Sequence, residues 1–218
     1  MILFGAHTDG GCSQRCKVNA ETGLKFLYIC VTIITIIGAF VLAVQNFSKD
    51  GVKNMLKSIY LAGGCFWGVQ RFFDQFAGVI KTETGYANGG SDKVSYEQVC
   101  ASSGHAETVK IDFDDEKISI EKLLGYYFMA IDPLSVNRQG GDEGIQYRTG
   151  IYYTDAELEP RIKRYCELER IRLGAPLAVE VLPLSDFCAA EEYHQKYLEK
   201  NPTGYCHLPK ALFELELR

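Results

Sequence analysis

The most uniform stretch of the chain is Phe26 to Val44, FLYICVTIITIIGAFVLAV, nineteen residues without a charge. At a helical rise of ~1.5 Å per residue it extends about 30 Å, enough to cross the hydrocarbon core of a bilayer. The pattern predicts a transmembrane helix or signal anchor over residues 25–45, most simply a single-pass membrane anchor. Small residues at Val41-Leu42-Ala43 also suit a cleaved signal, which would make the product secreted or exported. Arg15, Lys17 and Lys25 on one side balance Lys49, Lys53 and Lys57 on the other, so flanking charge does not orient the segment. Residues 1–24 read as a polar tail and 46–57 as a linker. A product started at Met55 would be a soluble cytoplasmic form without the anchor.

Beyond the linker the periodicity shortens. Ile59-Tyr60-Leu61-Ala62 reads as a buried strand, and Val69 to Phe76 carries apolar residues at helical spacing, stopped by Gly78. Val79 to Tyr86 predicts a strand running into a turn at Asn88-Gly89-Gly90. Val109, Ile111 and Phe113 alternate with polar residues, as a strand with one buried face would. Ser119 can cap a helix through Phe128, and Asp132 to Arg148 reads as a long loop of the functional kind. Ile151 to Tyr153 predicts a strand, Thr154-Asp155-Ala156-Glu157 a capping box opening a helix that ends at Gly174, and Val179 and Val181 a further strand. Glu191 to Glu199 predicts a last helix. The expected fold class is α/β (α+β): a two-layer domain over residues 58–208 with a central mixed sheet, and a C-terminal tail at 209–218.

Composition narrows the function. With 218 residues, 47% of them hydrophobic, the chain can build one ordinary core. A net charge of -5 and no long basic run argue against nucleic acid as a partner. Eight cysteines without a CxxC pair remove the usual zinc-ribbon and thioredoxin signatures. Among them Cys65 stands out, in Gly63-Gly64-Cys65-Phe66-Trp67-Gly68, where a strand turns into a helix and free N–H groups would favour a thiolate. A buried, space-filling cysteine is the plain alternative. His105-x-Glu107 is shared with zinc deaminases, but their Pro-Cys-x-x-Cys is absent. Cys65, His194 and Asn201 could form a papain-like hydrolase, yet the signature around such a cysteine is missing and His194 falls in a charged helix, as a surface or structural residue. Cys188, His194, Cys206 and His207 fit no usual zinc spacing.

Gly64-Cys65-Phe66-Trp67-Gly68 resembles the signature of the peptide methionine sulfoxide reductase A family. Further matching segments follow in the family's order: Gly85-Tyr86, Tyr96-Glu97-Gln98-Val99-Cys100, Gly104-His105-Ala106-Glu107, Asp132-Pro133, Asn137-Arg138-Gln139-Gly140, Gln146-Tyr147-Arg148, Tyr193-His194-Gln195 and Asn201-Pro202-x-Gly204-Tyr205-Cys206. The resemblance covers about Ser58 to Cys206 and implies a ferredoxin-like fold that acts as a monomer. It implies that Cys65 is the nucleophile, that Phe66 and Trp67 form the apolar wall for the substrate's methyl group, and that Glu107 donates a proton with help from Tyr96 and Tyr147. Asp142 would help order the site, and Cys206 would be the resolving cysteine, its disulfide with Cys65 recycled by thioredoxin or another dithiol. The substrates implied are oxidised proteins and free methionine sulfoxide, as the S epimer, with no metal or organic cofactor. Two departures stand out. Gly141 replaces the family's asparagine beside Asp142, and Cys188 adds a thiol that could serve as a second relay or, as the simpler reading, pack.

Overall fold

The computed structural model describes residues 56–215, so the segments predicted over residues 1–24 and 25–45, and nearly all of the linker, lie outside it. Among the described residues no helix is long and apolar enough to cross a membrane.

The described chain opens with β1 (Leu56–Gly63), α1 (Phe66–Phe73) and β2 (Val79–Ala87), followed by the short α2 (Tyr96–Cys100) and β3 (Ala106–Asp114). Next come α3 (Ile120–Ala130), the two-residue strands β4 (Arg138–Gln139) and β5 (Asp142–Glu143), and β6 (Thr149–Tyr153). The chain then forms α4 (Glu159–Leu173), β7 (Glu180–Pro183), β8 (Phe187–Ala189) and α5 (Tyr197–Lys200), with a 3-10 turn at Lys210–Glu214. The main sheet has the order β7-β6-β1-β3-β2-β8. Only the β6–β7 pair is parallel, which makes the sheet mixed, as the sequence pattern predicts.

Side-chain alternation decides which face is packed. Ile59 and Leu61 of β1 and Val109, Ile111 and Phe113 of β3 point to one side, where they meet Phe66, Val69, Phe72 and Phe73 of α1 and Leu123, Leu124 and Tyr127 of α3. Fully burying each such side chain contributes about 1.5–3 kcal/mol before entropy is counted. On the other face a smaller cluster of Tyr60, Ala62, Ala87, Ala106 and Tyr152 is covered by Leu184 and Phe187.

Three local expectations are corrected. The capping box at Thr154–Glu157 does not form. The Asp155 carboxylate instead accepts the Glu157 N–H at 2.9 Å, the Asp155 carbonyl accepts the Leu158 N–H at 3.1 Å, and α4 begins only at Glu159. Pro160 sets that start, because its fixed φ suits the first helical turn and it has no N–H to satisfy. Glu191–Glu199 is not one helix, because Lys196 takes φ +53 and interrupts it. That break is held from outside. The Gln195 amide pairs with both backbone groups of Thr84 at 3.0 and 2.9 Å, and the Lys196 N–H donates to Gln70 at 2.7 Å. Finally, the long loop from Asp132 contains the β4–β5 hairpin and a 3-10 turn at Ile145–Tyr147. Arg148 closes it, its guanidinium donating to the carbonyls of Gly104, Ile145 and Asn88 and pairing with Glu180.

Candidate active site

Sheet register brings four segments to one end of the domain. Ala62 near the end of β1 pairs with Thr108 near the start of β3, Tyr86 of β2 pairs with Glu107, and Gly63 pairs with Thr149 of β6. Glu107 shares its face with Val109 and Ile111, so its carboxyl points beneath α1, and the Phe66 N–H donates to Glu107 Oε2 at 3.0 Å. Cys65 is the residue that caps α1, in non-helical geometry. Gly64 before it has φ +82, and a Cβ there would stand 2.6 Å from the Gln139 Cβ, so the turn into the helix requires glycine. Gln139 is itself clamped, its amide exchanging hydrogen bonds with Asp132 N and O at 2.8 Å each.

Both reactive candidates are deeply buried, Cys65 at 6% and Glu107 at 2% exposure. Burial is the chief cause that pushes Glu107 up to about 8, against the Phe66 N–H, which lowers it, and with Asp142 adding a smaller push upward. Its carboxyl therefore holds a proton at neutral pH. Cys65 differs from the sequence expectation. The Trp67 N–H at the helix start does favour the thiolate, but burial and then the charge of Glu107 outweigh it and push the thiol well above its ordinary range. A single exposed helix end would have lowered it; here the low dielectric dominates, and the resting group is the thiol.

The aromatic wall is built from adjacent residues. Phe66 lies 5.8 Å from the Tyr86 ring, and Trp67 stacks on Tyr197 with centroids 3.8 Å apart. The Trp67 indole donates to His194 Nδ1 at 3.0 Å, which fixes the plane of the indole. Of the two readings, surface or structural, the structural one fits His194, which is 1% exposed with its pKa lowered by burial. Behind it, Glu191 accepts the Tyr86 hydroxyl at 2.8 Å and the Tyr96 N–H at 3.0 Å, and its nearer oxygen is 4.0 Å from His194 Nε2. Burial works against the charge of Glu191, but these donors hold its pKa below the ordinary value. His194 and Glu191 thus orient the wall, a role the sequence did not assign although Tyr193-His194-Gln195 marked the place.

Tyr147 is raised by burial and then by the charges of Glu107 and Cys65, which puts its phenol in their field. Tyr96 is raised by burial, a bond with Cys100 and then the charge of Glu107, and its ring lies 4.6 Å from the His194 ring. Asp142 on β5 does have a partner despite Gly141: the Tyr205 hydroxyl donates to Asp142 Oδ1 at 2.8 Å. Cys206 reaches α1 from the C-terminal segment, where a Cβ on Gly68 would stand 2.9 Å from its sulfur. Burial pushes this thiol up as well. Cys65, Cys188 and Cys206 are all unpaired thiols. Cys188 lies apart on β8, its sulfur 3.7 Å from the Val94 carbonyl. Among the described residues no group of three His, Cys, Asp or Glu side chains is placed to hold a metal ion.

The sequence profile of the family described as "Peptide methionine sulfoxide reductase" matches residues 57–217. A protein named "Peptide methionine sulfoxide reductase MsrA" from Clostridium acetobutylicum is 50% identical over 73% of this chain and 99% of its own. One of the same name from Lachnoclostridium phytofermentans is 54% identical over 73% of this chain and 97% of its own. Of solved structures, reduced Mxr1 from Saccharomyces cerevisiae is similar with a TM-score of 0.67 at 33% identity, over 70% of this chain and 90% of that one.

Proposed function

The chain belongs to the peptide methionine sulfoxide reductase family, and on that premise we propose that its site reduces methionine S-sulfoxide, in proteins and as the free amino acid, to methionine. The observation that carries the reading is a buried carboxyl raised to about 8, placed beneath the first N–H of the helix that Cys65 begins and beside an aromatic pair. A sulfoxide oxygen is a poor leaving group until protonated, and a neutral carboxyl is the group that can donate to it at pH 7.

In the first step the substrate's methyl group rests against Phe66 and Trp67, an apolar, polarisable surface suited to soft sulfur. Its oxygen faces Glu107, with Tyr96 and Tyr147 supporting the same oxygen and Asp142 ordering the rim. As Glu107 gives its proton to the oxygen, the Cys65 sulfur attacks the sulfoxide sulfur and passes its own proton back to the carboxylate. That exchange leaves Glu107 neutral, as it was before the step. The hydroxyl then passes from the substrate sulfur to the Cys65 sulfur as the S–S bond just formed breaks, which leaves Cys65 as a sulfenic acid and the substrate as the thioether. Cys206 then attacks the sulfenic sulfur, forming the Cys65–Cys206 disulfide and water. Thioredoxin or a similar dithiol reduces that disulfide by exchange.

Membrane attachment through residues 26–44 is part of the same proposal and rests on nineteen uncharged residues. The papain-like alternative has lost its base, since His194 Nδ1 accepts the Trp67 indole proton. The test is reduction of a methionine sulfoxide peptide, first with dithiothreitol and then with thioredoxin. Cys65→Ser is expected to abolish both, and Cys206→Ser to keep one methionine per chain while losing thioredoxin-driven turnover. Substantial turnover by Cys65→Ser would sink the scheme.

A further inference from the structure

Resolving the sulfenic acid needs a proton taken from the Cys206 thiol and a proton given to the departing hydroxide. Cys206 is half-buried and its thiol is raised by that burial, so a neighbouring base would assist its ionisation. The next residue, His207, has a side chain only 3% exposed, and neither ring nitrogen makes a hydrogen bond of full geometry. Its Nδ1 is 3.8 Å from Asp142 Oδ2, a buried carboxylate oxygen that also lacks a partner. Its Nε2 is 3.1 Å from the point where a Cβ on Gly64 would stand. Its Cε1 lies 3.4 Å, and the Cys206 sulfur 2.9 Å, from the corresponding point on Gly68. The imidazole therefore borders Gly64, which leads into Cys65, and shares with the resolving thiol the space beside Gly68.

The surroundings of the ring are acceptors: Asp142 on the β4–β5 hairpin and the Gly63 carbonyl at the end of β1, both of which favour the charged ring. A neutral imidazole can donate to one of them; an imidazolium satisfies both. Burial, the larger effect, keeps the resting ring neutral by lowering its pKa. The other titratable groups near this corner are the Cys65 and Cys206 thiols and the Tyr205 phenol, whose proton is already committed to Asp142.

We propose that His207, backed by Asp142, is the proton relay of the disulfide-forming step. This rests on the reading of Cys206 as the resolving thiol. Neutral His207 takes the Cys206 proton as the new S–S bond forms and the S–O bond of the sulfenic acid breaks. The imidazolium, held between Asp142 and Gly63, passes that proton to the departing hydroxide, which leaves as water. The relay ends as it began, and no outside oxidant or reductant enters.

The test is rapid-quench kinetics on the full chain, following methionine release and disulfide formation separately, with the disulfide mapped by peptide mass. His207→Gln and His207→Ala are expected to release the first methionine within twofold of the wild-type rate but to close the disulfide at least tenfold more slowly at pH 7. The deficit is expected to shrink as pH rises and Cys206 ionises unaided, and added imidazole is expected to speed His207→Ala. Disulfide closure within twofold of wild type in both variants would overturn the relay. Slow closure relieved by neither pH nor imidazole would also overturn it, since that marks a displaced segment. A wild-type chain whose disulfide does not join Cys65 to Cys206 would overturn the reading of Cys206 itself.

Discussion

At the scale of single residues, Glu107 is carried by β3 under α1, and removal from water raises it to about 8. The acid form is the one that donates, so the rate of the first step should be level below about pH 8 and fall about tenfold per unit above it. Glu107→Gln should slow methionine release by about 10²–10⁴-fold and remove that alkaline limb, as single-turnover measurements would show. An unchanged rate would mean that another group delivers the proton. The place of Cys65 at a helix start was legible, its protonation was not. His194 was visible as a letter in a motif, but its contact with Trp67 joins residues 127 positions apart. His194→Phe keeps an apolar ring but leaves the indole N–H without its acceptor, at a cost of about 1–3 kcal/mol. KM for the sulfoxide should rise severalfold, with kcat less affected. An unchanged KM would remove His194 from the orienting role.

At the scale of elements, what the sequence displays reliably is periodicity and strong punctuation. Ser119 accepts the Lys122 N–H at the start of α3, and Gly174 closes α4 in the left-handed conformation, both as the sequence predicts. Ser119→Ala should therefore lower stability by about 1 kcal/mol, seen as a lower urea midpoint with unchanged m-value. No loss would mean that the bond to Lys122 has no weight in water. Short elements were less legible. β8 has three residues, too few for alternation to register, and it exists because β2 offers it an edge at Gly85, Tyr86 and Ala87. The helix expected at Glu191–Glu199 has adequate local propensity, but Gln70 and Thr84 pull its backbone into a different shape. Side-chain partners more than a hundred residues away cannot be read from a window of ten.

At the scale of the whole molecule, the segment after Leu208 is more than a tail. Leu212, Phe213 and Leu215 pack against the main core, and the Leu212 carbonyl accepts a hydrogen bond from Gln75 at 2.8 Å. Residues 55–218 should therefore fold cooperatively alone and reduce the sulfoxide with a kcat within twofold of the full chain, in the same dithiothreitol assay. Removing residues 209–218 from that fragment should lower its melting temperature by several degrees, because buried apolar surface is lost beside Leu208. An unaltered melting temperature would mean that this packing contributes nothing. By itself the sequence determined the strands and helices whose apolar periods are long, the strand-to-helix turn at Cys65, and, through its motifs, the family. Those signals are local, set by backbone sterics and the spacing of apolar residues, so a linear string retains them. Only the tertiary structure decided that burial raises both Cys65 and Glu107, that the Tyr205 hydroxyl donates to Asp142, and that the buried ring of His207 lies beside Asp142. Desolvation and hydrogen bonding depend on which distant groups exclude water or supply a partner, and strand register, not sequence spacing, brings those groups together.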